Sequence, residues 1–170
     1  MSKQSTGKKD AVKKSKDGVF DKMKMKDANE LYDAVNAMLN LKKSIFEFNH
    51  ALREVKKKIK ERCEEYKEDL SILQFERIDI QLQYCDKNAE GNPVVLGGMY
   101  QGIAKGVQPD CDEKLLAIRD KEKKLKKATI NFSLLQLRSE GIKISKAHII
   151  KMLENGMTGE QQYQIYDLID

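Results

Sequence analysis

The chain has no tryptophan, two prolines, three cysteines and two histidines among its 170 residues, and aromatic residues make up only 6%. Each shortage excludes something. Few aromatics beside 35% charged residues suit long solvated helices with narrow apolar stripes, not a thick globular core. Pro93 and Pro109 flank one short region, so the stretches before and after it are free of the residue that breaks helices. Cys63, Cys85 and Cys111 are odd in number and widely spaced. That argues against a disulfide framework and fits a reducing, cytoplasmic setting. No apolar run approaches ~18 residues, so neither a membrane span nor a secretory leader is expected.

Motifs for chemistry are also missing. There is no C-x-x-C or H-x-x-x-H spacing for a metal, and His50 and His148 stand alone. Gly97, Gly98, Gly102 and Gly106 lack the order of a phosphate-binding loop. Acid pairs such as Glu64-Glu65 lie in a charged helical face, where carboxylates are normally solvated. The sequence therefore predicts no enzyme, no catalytic residue, no cofactor and no metal site.

What the chain does have is charge concentrated at one end. Residues 1–26 hold nine Lys and three Asp, which leaves 23 basic and 24 acidic residues for the remainder. The net charge of +5 thus belongs to the first segment, which has no periodic apolar face and is expected to be a disordered tail. Lys8, Lys9, Lys13, Lys14, Lys16, Lys22, Lys24 and Lys26 are its candidates for contact with phosphate or an acidic protein surface. The later lysine clusters, Lys56–Lys58 with Lys60 and Lys121 to Lys127, are interleaved with acids and read as solvated helix faces.

It also has one long apolar stripe. Leu31, Val35, Met38, Leu41, Ile45, Phe48, Leu52, Val55, Ile59, Cys63, Tyr66, Leu70 and Leu73 recur in steps of three and four, the period of a helix. This predicts a helix from Asp27 to about Tyr84, capped by Asp27 or Asn29, with a weak point near 60–69. Ile72, Phe75, Ile78 and Leu82 widen the stripe and predict burial on more than one side. Asn88 to Gly91 signal a turn, and Val94–Leu96, Gly97-Gly98 and Met99–Gln101 predict a β-hairpin. A second helix follows from Pro109 to about Lys127, on which only Leu115, Ile118 and Leu125 continue the stripe. In such a hairpin Cys85 and Cys111 fall at nearly the same level, which leaves a crosslink geometrically open.

Thr129–Leu137 reads as a strand with a bulge, Ile142–Ile144 as a short strand, and Ser145 as the cap of a helix ending before Gly156. Thr158 and Gln161 have capping-box spacing for a last helix carrying Tyr163, Tyr166 and Ile169. The predicted fold is mainly α with a small β element: a long antiparallel helical hairpin, or coiled coil, with a β-hairpin at its tip and a short C-terminal strand-turn-helix segment. Its parts are a tail (1–26), the hairpin (27–128, tip at about 86–107) and a segment packing on it (129–170).

The arms of that hairpin are unequal. Everything before about Glu68 outruns the second helix, so Leu31, Val35, Met38, Ile45, Phe48, Leu52, Val55 and Ile59 are expected to face a partner protein or a second copy of the chain. Met99 and Tyr100 at the tip are further contact candidates.

The long charged helix, the stretch YCDKNAEGNPVV and the C-terminal INFSLLQLRSEGIKISKAHI resemble small uncharacterised accessory proteins of tailed bacteriophages. The helix–hairpin–helix plan is also similar to prefoldin-type chaperones, from which the unequal arms and the C-terminal segment depart. The resemblance implies a phage-encoded factor in the host cytoplasm that binds a host or viral protein complex, such as an inhibitor of host defence. The alternatives are a nucleic-acid-binding accessory protein using the tail, and a chaperone or structural component of virion assembly.

Overall fold

The computed structural model describes residues 22–43, 45–96, 99–100 and 108–170, with the backbone alone for Leu96, Met99, Tyr100 and Gln108. The protein is mostly helical, with two small two-stranded antiparallel sheets.

Strand β1 (Met23–Lys24) leads directly into helix α1 (Met25–Leu39). Residues 1–21 of the expected tail lie outside the described residues, and residues 22–26 include a strand and the start of a helix. The reason lies far away in sequence: Met23 pairs with Ile130 and Lys24 with Thr129, and the Met25 N–H donates to the Ala128 carbonyl at 2.7 Å. Lys24 stands at the N-cap with no side-chain cap hydrogen bond, so neither Asp27 nor Asn29 caps the helix. A backbone acceptor from another element does part of a capping side chain's work.

Helix α1 buries Met25, Ala28, Leu31, Tyr32, Val35 and Met38, one face at helical spacing. The helix expected to run on to Tyr84 stops at Asn40, and the chain reverses before helix α2 (Phe46–Tyr84). The interruption therefore lies between 40 and 45 and not near 60–69. Helix α2 is continuous over 39 residues, about 58 Å at 1.5 Å per residue. Its charged middle holds because Lys, Glu and Arg are good helix formers, while Cys63 and Tyr66 keep the stripe buried.

After α2, the Asn88 Oδ1 accepts from the N–H groups of Glu90 (3.0 Å) and Asn92 (2.9 Å). Gly91, at φ 82°, completes the turn in a region that glycine enters freely. Strand β2 (Val95–Leu96) pairs antiparallel with β3 (Met99–Tyr100), as expected. Gly97, Gly98, Gly102 and Gly106 lie outside the described residues. Helix α3 (Gln108–Lys127) packs against α2 and touches α1.

The C-terminal segment departs most from expectation. Strand β4 is only Thr129–Ile130, and Leu134–Ser139 form helix α4 in place of a bulged strand. Leu134 and Leu137, one turn apart, are both buried on it. Ile142–Ile144 reduces to a single bridge between Ile144 and Ile169. Helix α5 (Lys146–Glu154) has the predicted cap, with the His148 N–H donating to Ser145 Oγ at 3.2 Å. Helix α6 (Gly159–Gln164) begins with the predicted Thr158–Gln161 capping box, and a 3-10 turn follows at Tyr166–Leu168. Ile165 and Leu168 enter the core, whereas Tyr163 and Tyr166 remain exposed.

One core joins α1, the first two-thirds of α2 and the C-terminal segment. Leu73 and Tyr84 of α2 with Cys111 and Ile118 of α3 are buried outside it, in a smaller contact farther along α2.

Candidate functional site

The stripe predicted to face a partner is the interior of this protein. Leu31, Val35, Met38, Phe48, Leu52, Val55 and Ile59 are all buried, and Ile45 is half-buried against the same core. Unequal arms would require a single helix from 27 to 84, and the chain has two, α1 and α2. Once the chain reverses at 40–45, α1 covers α2, and residues 129–170 close the remaining side. No seam between Leu31 and Ile59 is left open.

The α1–α2 boundary is finished by polar contacts around Tyr32. Its hydroxyl donates to Glu64 Oε1 at 3.1 Å, Lys67 Nζ lies 5.1 Å from the ring centroid, and Lys67 also pairs with Asp33 at 2.5 Å. Burial pushes the Tyr32 phenol up, with the Glu64 carboxylate adding to the effect and the Asn36 hydrogen bond opposing it. Burial likewise pushes the Cys63 thiol up to about 11. Cys63, Cys85 and Cys111 are buried free thiols, and the crosslink left open between the last two is not formed.

Lysines expected to be solvated are solvated or paired with nearby acids. Lys60 lies 3.9 Å from Glu64, Lys121 2.8 Å from Glu76 and Lys123 3.5 Å from Asp120. Of the tail candidates, Lys8, Lys9, Lys13, Lys14 and Lys16 lie outside the described residues. Lys22, Lys24 and Lys26 are exposed, and Lys26 pairs with Glu30 at 3.5 Å. The side chains of Met99 and Tyr100 are likewise outside the description. A shallow cleft between α1 and α6 is lined by Glu30, Asp33, Thr158, Glu160 and Gln161. Most of these groups are engaged in ion pairs or in the capping box, so the cleft has little left for a ligand. Among the described residues no group of His, Cys, Asp and Glu is placed to hold a metal ion. No described helix is long and apolar enough to cross a membrane.

The feature left unaccounted for is on the far half of α2. Here Leu73 and Tyr84 are buried, Arg77 reaches Glu122 of α3 at 2.6 Å, and Tyr84 hydrogen-bonds Asp110 and Lys114. The opposite face carries Ile72, Phe75, Ile78 and Leu82, which a period of 3.6 residues brings together. The widened stripe predicted burial on a second side, and the described residues do not supply it. Phe75 is 64% exposed and Ile72 49%, while Ile78 and Leu82 are half-buried. Glu68 and Asp79 share this face and form no ion pair with another described residue. Large apolar side chains here stand among carboxylates that no described residue pairs. Comparison with protein-family models, with curated proteins and with solved structures found no match for this chain.

Proposed function

We propose that the protein is a non-enzymatic protein-binding factor. Its docking surface is the Ile72–Leu82 face of α2, and its partner presents an apolar segment flanked by Lys or Arg. The far half of α2 and α3 act as an antiparallel coiled-coil arm with β2–β3 at its tip. Supporting that arm, Tyr84 at the end of α2 meets Asp110 at the start of α3, whereas Arg77 meets Glu122 farther along.

The observation that carries the reading is the exposure of Phe75 and Ile72 on a helix whose other face is already covered. Removing one such side chain from water is worth about 1.5–3 kcal/mol, and Glu68 and Asp79, unpaired among the described residues, set the charge of whatever supplies the cover. The resemblance to phage accessory proteins makes a host or viral complex in the cytoplasm the expected setting, with inhibition as the expected outcome.

The test compares full-length protein with an Ile72→Ser/Phe75→Ser variant and a Tyr163→Ser control, whose side chain is 77% exposed elsewhere. A protein retained by wild type and control, lost with the double variant, and rebound when both partners are pure supports the reading. Equal retention by a folded double variant removes it.

A nucleic-acid reading has one observation in its favour. The β1–β4 pairing brings Lys24 beside Thr129, directly after the exposed Lys124, Lys126 and Lys127 of α3's last turn. Lys24 thus adjoins a basic patch. This reading predicts affinity for duplex or single strands that falls steeply with salt, and salt-insensitive binding or none at low salt rules it out.

A further inference from the structure

We infer that the partner seated against Ile72 and Phe75 is a second copy of this chain, the two α2 helices lying antiparallel about a two-fold axis between Lys60 and Glu61. The inference rests on that face being the docking surface, and it names the occupant: the first half of the other copy's α2.

The solvent face of α2 keeps one direction along the whole helix. Phe48 and Tyr84 are both buried and lie about ten turns apart, so the phase does not drift between them. On the outer face at the helix start, Phe46 is 74% exposed, and its ring stacks on His50 with centroids 6.4 Å apart. Phe75 stands on the same side about eight turns later, with Ile72 beside it. Phe46, Ile72 and Phe75 are the exposed large apolar residues of α2, and all three fall on this face.

Between those apolar ends the charge changes sign once. Arg53, Lys57 and Lys60 come first, then Glu61, Glu64 and Glu68, and all six are exposed. Within each set the steps are three and four residues, as one helical face requires. Arg53, Lys57, Glu61 and Glu68 form no ion pair with another described residue, and Lys60 approaches Glu64 only to 3.9 Å.

A two-fold interface must be its own complement, each residue meeting on the other copy the residue that meets it. Turned antiparallel about the Lys60–Glu61 midpoint, this face meets that condition. Arg53 comes level with Glu68, Lys57 with Glu64 and Phe46 with Phe75, while His50 comes level with Ser71, beside Ile72. Symmetry makes each contact twice, along about 44 Å of helix. Parallel pairing would instead set Arg53 on Arg53 and Glu68 on Glu68, which is repulsive. A foreign partner for Ile72 and Phe75 places no such condition on residues 46–60. The second copy supplies an apolar ring followed by basic residues, the chemistry that the Ile72–Phe75 end lacks.

Sedimentation equilibrium of the full-length protein tests this. Wild type is expected to reach twice the chain's 19.5 kDa. Phe46→Ser raises the dimer dissociation constant at least about tenfold, the equivalent of about 1.4 kcal/mol, and Phe75→Ser does the same from the other end of the face. Arg53→Glu/Lys57→Glu does so by setting acids against acids. Adding Glu64→Lys/Glu68→Lys to that variant exchanges both sets of charge and restores the dimer. Every substituted side chain is exposed, and an unchanged helical circular dichroism signal shows that the variants are folded. A mass of 19.5 kDa at every concentration, a dimer indifferent to Phe46, or no recovery in the fourfold exchange overturns the proposal. If wild type is monomeric while a foreign protein is lost with Ile72→Ser/Phe75→Ser, this inference fails alone. If the dimer behaves as stated and retention of a foreign protein ignores those two residues, the foreign-partner function fails alone.

Discussion

Leu52 shows how single side chains hold this fold. It is 0% exposed, on the α2 face that α1 covers. Leu52→Ala removes buried methyl groups and leaves a cavity, so it is expected to cost about 2–5 kcal/mol. Urea unfolding of the variant checks this, and a change below about 0.5 kcal/mol would show that the site is not closed by the chain itself. Cys63 gives a second expectation. Burial lifts its thiol to about 11, so at pH 8 almost no thiolate is present to react. Cys63 should resist an alkylating or disulfide reagent in the native protein and react fully once unfolded, as a thiol count by mass spectrometry would read directly.

At the scale of elements, the contact between α2 and α3 is held by polar groups as much as by apolar ones. Arg77 and Glu122 pair at 2.6 Å with side chains 29% and 20% exposed. Glu122→Leu strands the guanidinium and is expected to cost about 1–3 kcal/mol, whereas Arg77→Leu/Glu122→Leu should recover most of the loss because no charge is left unpaired. A double-mutant cycle in urea measures the difference, and additive losses would show that the two do not act as a pair.

The end of the same contact responds to acid. The Tyr84 hydroxyl, and then the Lys114 ammonium, hold the Asp110 carboxyl below the ordinary carboxylate range. A group depressed in this way stabilises the fold above its unfolded value of about 3.9. The contribution is lost as pH falls through the folded value. Wild type should therefore melt above Asp110→Asn at neutral pH, with the two melting curves converging below that range. A constant gap down to pH 2 would contradict the assignment.

For the whole molecule, the C-terminal segment is part of the core. Ile144, Ile149, Met152, Ile165 and Leu168 are buried in the same cluster as Leu31 and Phe48, and β4 anchors the start of α1. A chain ending at Lys127 is expected to lose the sharp unfolding transition of the full protein, since α1 and α2 would expose one side of their interface. Circular dichroism during heating distinguishes this from an independently folding hairpin, which would keep a cooperative transition.

Much of the local structure could be read from residue order because its causes are local. The Ser145 cap, the Thr158–Gln161 capping box, the Asn88–Gly91 turn and the end of α2 at Tyr84 depend on neighbours within four residues. The apolar stripe was equally visible, as was its surplus over the covering available from α3. The reversal at 40–45 was not, because it contains neither Gly nor Pro and the stripe keeps its helical phase across it. Asn40, a residue tolerated at helix ends, was the one weak signal. Strand β1 escaped for a related reason, since two residues carry no periodicity and exist by pairing with β4 far along the chain, itself the short remnant of the strand expected over Thr129–Leu137. Residue order thus determined that this protein would be helical and striped. Tertiary packing decided which parts of the stripe are covered: bringing Leu31, Val35 and Met38 onto Leu52, Val55 and Ile59 buries the stretch expected to stay open, and Ile72 and Phe75, expected to be buried, are left exposed.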